Sequence, residues 1–201
     1  MSSTGRGQGS ADARPGAVVS RIDLAAVELQ LGRPPRGVAA VAHRCPCGQP
    51  DVLRTEPRLP DGSPFPTTYY ATCPRLTGAI STLETAGMMK SMTARLGADA
   101  ALAAAFQRAH EHYLARRSEL GEVPEIAGVS AGGMPTRVKC LHVLVAHSLA
   151  AGPGVNPLGD EALEMLGEWW TPTSCALLHS ETQTPSVTPP QTQNDGGSDG
   201  D

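Results

Sequence analysis

Between Val38 and Cys73 the chain carries three short β-compatible runs, and beyond Cys73-Pro74 that pattern gives way to helical spacing. The runs are Val38 to Arg44, Pro50 to Thr55 and Thr67 to Cys73, with Pro60-Asp61-Gly62 as a turn signal before the third. Three short strands in succession predict an antiparallel meander rather than a βαβ unit.

Helical spacing lies on both sides of these strands. Ser20 is a natural N-cap with Asp23 three residues on, close to a capping box. Leu24, Val27 and Leu31 then repeat on one face until Gly32-Arg33-Pro34-Pro35. Pro74 suits a first helical position, and Leu76, Ile80 and Leu83 keep the spacing up to Gly87. Met88 to Leu96 reads as another short helix. A longer one runs from Asp99 or Ala100 to about Leu120, with Leu102, Phe106, Ala109 and Tyr113 largely on one face. Gly121 to Gly133 reads as a loop. A further helix is expected from near Pro135 to Gly152-Pro153-Gly154, and a last one from Asp160 to about Trp170. The fold class is α+β: an N-terminal helix, a small three-stranded antiparallel sheet, then a run of about five helices.

A length of 201 residues suits one domain. Residues 1–19 are polar and Gly/Ser-rich, and 173–201 form an acidic Pro/Thr/Gln-rich stretch; both are expected to be disordered tails around a single domain at 20–172. The net charge of −4 changes meaning once divided. Glu181, Asp195, Asp199 and Asp201 place −4 in the C-terminal tail, while Arg6, Asp12 and Arg14 give the first nineteen residues +1. The body between them is left with −1. It lacks the basic footprint that phosphate neutralisation requires, so duplex nucleic acid is not an expected partner. The N-terminus has no apolar signal-peptide core, and no stretch is apolar enough for a membrane span. A cytoplasmic protein with reduced thiols is the expectation.

In that compartment cysteines read as buried residues, metal ligands or redox groups. Cys45 and Cys47 open the sheet segment, Cys73 closes it, and Cys140 falls in the late helix. A meander can bring the ends of that segment together, and thiolates are soft donors suited to zinc or, less readily, an iron–sulfur cluster. The candidate ligands are Cys45, Cys47, Cys73, Cys140, His43 and His142, at most four of them at once. His43 shares one side of an extended segment with Cys45 and Cys47. On a regular helix Cys140 and His142 point about 200° apart, which separates them. Buried structural thiols remain the alternative. Cys175 reads as a bystander.

Two further features involve glycine. Gly128-Val-Ser130-Ala-Gly132 matches the nucleophile-elbow pattern, but no strand precedes it and no βα series surrounds it, so coincidence is the reading. Gly132 and Gly133 lead toward a helix start with Arg137 and Lys139 beside it, a candidate anion site. His110 and His112 read as solvent-facing, and Arg116-Arg117 as an ordinary charged face.

Cys45-Pro-Cys-Gly-Gln-Pro-Asp-Val52, Pro64-Phe-Pro-Thr67 with Tyr69-Tyr-Ala-Thr-Cys73-Pro74, Gly132-Gly-Met-Pro-Thr-Arg-Val-Lys-Cys-Leu-His142 and Asn156-Pro-Leu-Gly159 together resemble the bacterial domain-of-unknown-function family 501. The resemblance covers about Ala39 to Leu166. It implies a cytoplasmic protein with no assigned activity, whose genes neighbour those for enolase, a septum-formation protein and an exopolyphosphatase. It also implies a centre of Cys45, Cys73 and Cys140 completed by His142. The functional expectation is an uncharacterised protein with a cysteine-rich, zinc-binding centre in a structural or partner-binding role. The alternative is an enzyme acting on a phosphorylated or anionic small molecule at the glycine-rich loop.

Overall fold

The computed structural model describes residues 19–171, so the two tails lie almost wholly outside the described residues. In chain order the elements are α1 (Arg21–Leu31), β1 (Val38–Arg44), β2 (Pro50–Thr55), β3 (Tyr69–Ala71), α2 (Pro74–Thr85), α3 (Met88–Ala98), α4 (Ala100–Ser118), a 3-10 turn (Pro124–Ile126), α5 (Leu141–Ala151) and α6 (Pro157–Leu166). The fold is α+β, with an antiparallel sheet in the order β1-β2-β3. Among the described residues no helix is long and apolar enough to cross a membrane.

Local chemistry sets the boundaries. Ser20 caps α1 by accepting from the Asp23 N–H at 3.1 Å, and its hydroxyl donates to the Asp23 carboxylate at 2.7 Å. The β1–β2 hairpin closes through Cys45 N–H to Gln49 O at 2.9 Å and Gly48 N–H to Cys45 O at 2.8 Å. That tight turn needs glycine at position 48, where φ is 85°. Asp99 caps α4 with two backbone bonds, and Asn156 caps α6 by accepting from Gly159 N–H at 3.1 Å.

Two helices begin elsewhere than the sequence suggests. α5 starts at Leu141 rather than near Pro135, because Lys139 N–H to Gly132 O at 2.7 Å and Arg137 N–H to Gly133 O at 3.2 Å fold that stretch into turns. α6 starts at Pro157, three residues early, and stops at Leu166, so Trp169 and Trp170 lie beyond it. Both indoles are half-buried and meet edge to face with centroids 4.9 Å apart.

α5 is the central helix. Leu141 and every residue from Val143 to Ser148 are buried, as expected of an element packed on all sides. It lies against β3, α2 and α6. Leu76, Ile80, Met92, Phe106, Leu144 and Leu158 complete a core built largely without aromatics.

Arg117, expected on a charged face, is buried instead. Its guanidinium donates to the carbonyls of Val129 and Ile126, each at 2.6 Å, and so holds the 126–129 loop against α4. Its neighbour Arg116 keeps the surface role, pairing with Glu119 at 2.7 Å.

Tyr113, fully buried on α4, accepts the Thr68 N–H at 2.6 Å just before β3, and burial pushes its phenol up to about 12. Tyr113→Phe strands that buried N–H, so urea denaturation should show a loss of about 1–3 kcal/mol with an unchanged m-value. A loss well under 0.5 kcal/mol would mean that water reaches Thr68.

Candidate metal centre

Glu84 stands in the last turn of α2, where the helix dipole disfavours a carboxylate. What supports it is the start of α5. Glu84 Oε1 accepts from Leu141 N–H at 2.6 Å and lies 3.2 Å from His142 Nδ1. The N-terminus of α5, expected to attract an anion, receives this carboxylate from within the chain.

Cys140 is the N-cap residue of α5, with extended backbone at φ −156° and ψ 118°, and His142 is the second helical residue. The 200° separation applies only if both are helical. Because Cys140 is not, its side chain reaches the same place as that of His142. Cys140 Sγ, a Glu84 carboxylate oxygen and a His142 ring nitrogen lie within 4.8 Å of one another. Among the described residues no other three His, Cys, Asp or Glu side chains are so grouped.

His142 Nε2 lies 3.2 Å from the Thr77 carbonyl. A carbonyl and an ionised carboxylate only accept, so both ring nitrogens donate and the imidazole is charged. Cys140, then Glu84, raise its pKa to about 9 against the opposing effect of burial. Cys140 and His142 line a cleft of about 380 Å3 with Tyr69, Tyr70 and Thr77. Glu84 lines a second cleft, of about 600 Å3, with Lys90, Thr93 and Arg137.

The other expected ligands lie apart from this group. Cys45 is 3% exposed in the hairpin turn, and burial pushes its thiol up to about 12. Cys47 is half-buried beside it, and Cys73 is fully buried at the N-cap of α2. His43 Nδ1 meets Asp51 Oδ1 at 2.7 Å, and the second oxygen of that fully buried carboxylate has no hydrogen-bond partner. Of the glycine-rich loop, Gly132 and Gly133 are tightly packed: a Cβ at Gly133 would lie 2.9 Å from Arg137 O. Arg137 lines the second cleft, and Lys139 is not among its walls.

Among the described residues the remaining histidines, His110, His112 and His147, are buried or half-buried rather than exposed. His110 is buried, with Nδ1 2.9 Å from Ser130 Oγ. Ser130 donates its proton to Met134 O at 3.2 Å, so the imidazole donates to the hydroxyl and cannot act as its base. This bond directionality agrees with a coincidental nucleophile-elbow match. His147 is fully buried, stacked on Tyr69 with centroids 5.5 Å apart. Asn156 has its Oδ1 on Gly159 N–H, so its Nδ2 donates to His147 Nδ1 at 3.3 Å. His147 Nε2–H then donates to His112 Nδ1 at 2.9 Å. Burial, reinforced by His112, lowers the His147 pKa to about 3; burial also lowers His110 and His112.

Sequence reasoning missed Glu84 and Lys90. Lys90 carries no signal beyond being one of two lysines. Glu84 carries a weak one, an acidic residue at the unfavourable end of a helix.

A family model described as "Protein of unknown function (DUF501)" matches residues 41–164, more than half of the chain. No curated protein and no solved structure matches.

Proposed function

The chain belongs to the DUF501 family of proteins of unknown function, and we propose that Glu84, Cys140 and His142 are its binding centre for a zinc-class divalent ion. The observation that carries this reading is the convergence of a thiol, an imidazole and a carboxylate within 4.8 Å at the junction of two helix ends. Sulfur, nitrogen and oxygen donors together suit a borderline-soft ion such as zinc. Tetrahedral zinc with bonds of about 2.0–2.3 Å separates its ligand atoms by about 3.5 Å. The 3.2 Å between Glu84 Oε1 and His142 Nδ1 is close to that spacing. Nε2–H of His142 already donates to the Thr77 carbonyl, the outer contact that orients a metal-ligating histidine.

Three protein ligands leave one coordination position, and Cys140 and His142 line an open cleft. This favours a centre that exchanges ligands over one that only staples α2 to α5. A cytoplasmic setting fits, since Cys140 has to stay reduced to bind.

The test is elemental analysis of untagged protein, followed by calorimetric zinc titration of chelator-treated protein. One equivalent is expected. Glu84→Gln should weaken binding by about tenfold or more, and Cys140→Ser by more, with the circular dichroism unchanged. Because His142 holds a proton where the ion would bind, titrations in buffers of different ionisation enthalpy should report at least one proton released per ion. Native protein without metal that also fails to take up zinc after reduction sinks the reading.

A further inference from the structure

The second cleft has three walls from separate parts of the chain: Glu84 of α2, Lys90 and Thr93 of α3, and Arg137 of the turn segment before α5. Its volume of about 600 Å3 falls in the range of small-molecule sites. The charges in it differ in what they already hold. Glu84 is engaged by Leu141 N–H and by the charged His142. Thr93 is also occupied, accepting from Val138 N–H at 3.0 Å and donating to Met89 O at 2.8 Å. Lys90 and Arg137 make no side-chain hydrogen bond or ion pair with any described residue. The cleft thus presents two unengaged cations, while its one carboxylate is directed away into the Cys140–His142 group.

Two cations on different elements favour a compact dianion over a monoanion. Arginine supplies a fork for two oxygens, and lysine a point charge. A nearly neutral body and a site limited to one cleft argue against a long polyanion. We propose that this cleft takes the phosphate group of a small phosphorylated molecule and, resting on the metal reading above, holds it beside the Glu84–Cys140–His142 centre. Lys90 and Arg137 are the residues that bind it. Lys139, the other sequence candidate, is not.

The probe is phenyl phosphate, with benzoate as a monoanion of the same apolar body. Each is titrated calorimetrically into chelator-treated and zinc-loaded protein. Saturable phenyl phosphate binding is expected in both forms, at least tenfold tighter than benzoate and weakened by added salt. Lys90→Gln and Arg137→Gln should each weaken it about tenfold, whereas Arg33→Gln, in the segment after α1 and not among the walls of this cleft, should leave it unchanged. If zinc is not taken up but metal-free protein still binds phenyl phosphate through Lys90 and Arg137, the metal reading fails and the phosphate cleft stands. Absence of saturable binding in both forms overturns the cleft. So does binding that ignores both substitutions, or benzoate binding as tight as that of the phosphate.

Discussion

Gly159→Ala should destabilise the protein by about 3 kcal/mol or more, the upper range for overpacking a filled interior. A Cβ at this position would lie 2.3 Å from Leu144 O and 2.4 Å from Ser148 Oγ. Neither neighbour can retreat cheaply. The Leu144 carbonyl belongs to the backbone of buried α5, and the Ser148 hydroxyl donates to Asn156 O at 3.2 Å. α6 would have to lift from α5, carrying with it the Asn156 cap and the amide that fixes His147. Glycine in a helix ordinarily costs about 1 kcal/mol relative to alanine, so the sign of the effect isolates the close approach. Gly78→Ala in α2 is the matched control: nothing lies within 4 Å of its added Cβ, and a gain of about 0.5–1 kcal/mol is expected. Urea denaturation of both variants measures the contrast. Similar stabilities would mean that α5 and α6 are not packed as described.

Much of this architecture could be read from local residues. Ser20, Gly32, Pro74 and Asp99 mark helix ends by chemistry that operates within a few residues, and the three strands fall between such marks. The departures have non-local causes. The segment from Pro135 to Cys140 looks helical in isolation, but Thr93 Oγ1 of α3 captures the Val138 N–H and the loop glycines take two further bonds. Arg117 has the sequence context of a surface arginine; only the return of the 126–129 loop surrounds it with carbonyls.

The candidate centre divides in the same way. Cys140 and His142 were legible as residue types, although their joint use depended on a helix start that the sequence misplaced by several residues. Glu84 was not legible, since it is 57 positions from the N–H it caps and belongs to no motif. Its one local mark is a carboxylate at the wrong end of a helix. Such broken local rules concentrate at functional sites.

The metal-free protein should be most stable near pH 6.5 and lose stability on both sides, because two histidines, the buried His147 and the half-buried His142, are displaced in opposite directions. His147 is held neutral, its pKa lowered from 6.5 to about 3 chiefly by burial. A group whose folded pKa is depressed contributes stability above its unfolded value and loses it as pH falls toward the folded one. By pH 5 the unfolded chain binds a proton here that the folded one refuses, a loss of about 2 kcal/mol from His147 alone. His110 and His112, lowered in the same direction, add to it. His142 acts in the other direction. Its pKa is raised from 6.5 to about 9 by Cys140 and Glu84, so its contribution is complete below 6.5 and disappears as pH rises through 9. Urea midpoints measured from pH 5 to pH 9.5 on chelator-treated protein should trace this dome. Glu84→Gln, which removes one of the charges raising His142, should flatten the alkaline side and leave the acid side in place. Imidazole NMR shifts give an independent reading: His147 should not titrate until well below pH 5, with His142 still charged at pH 8. A protein equally stable at pH 5 and pH 6.5 would mean that protons reach His147 without disturbing the Asn156–His147–His112 chain. That would remove the buried neutral imidazole from the account of the core.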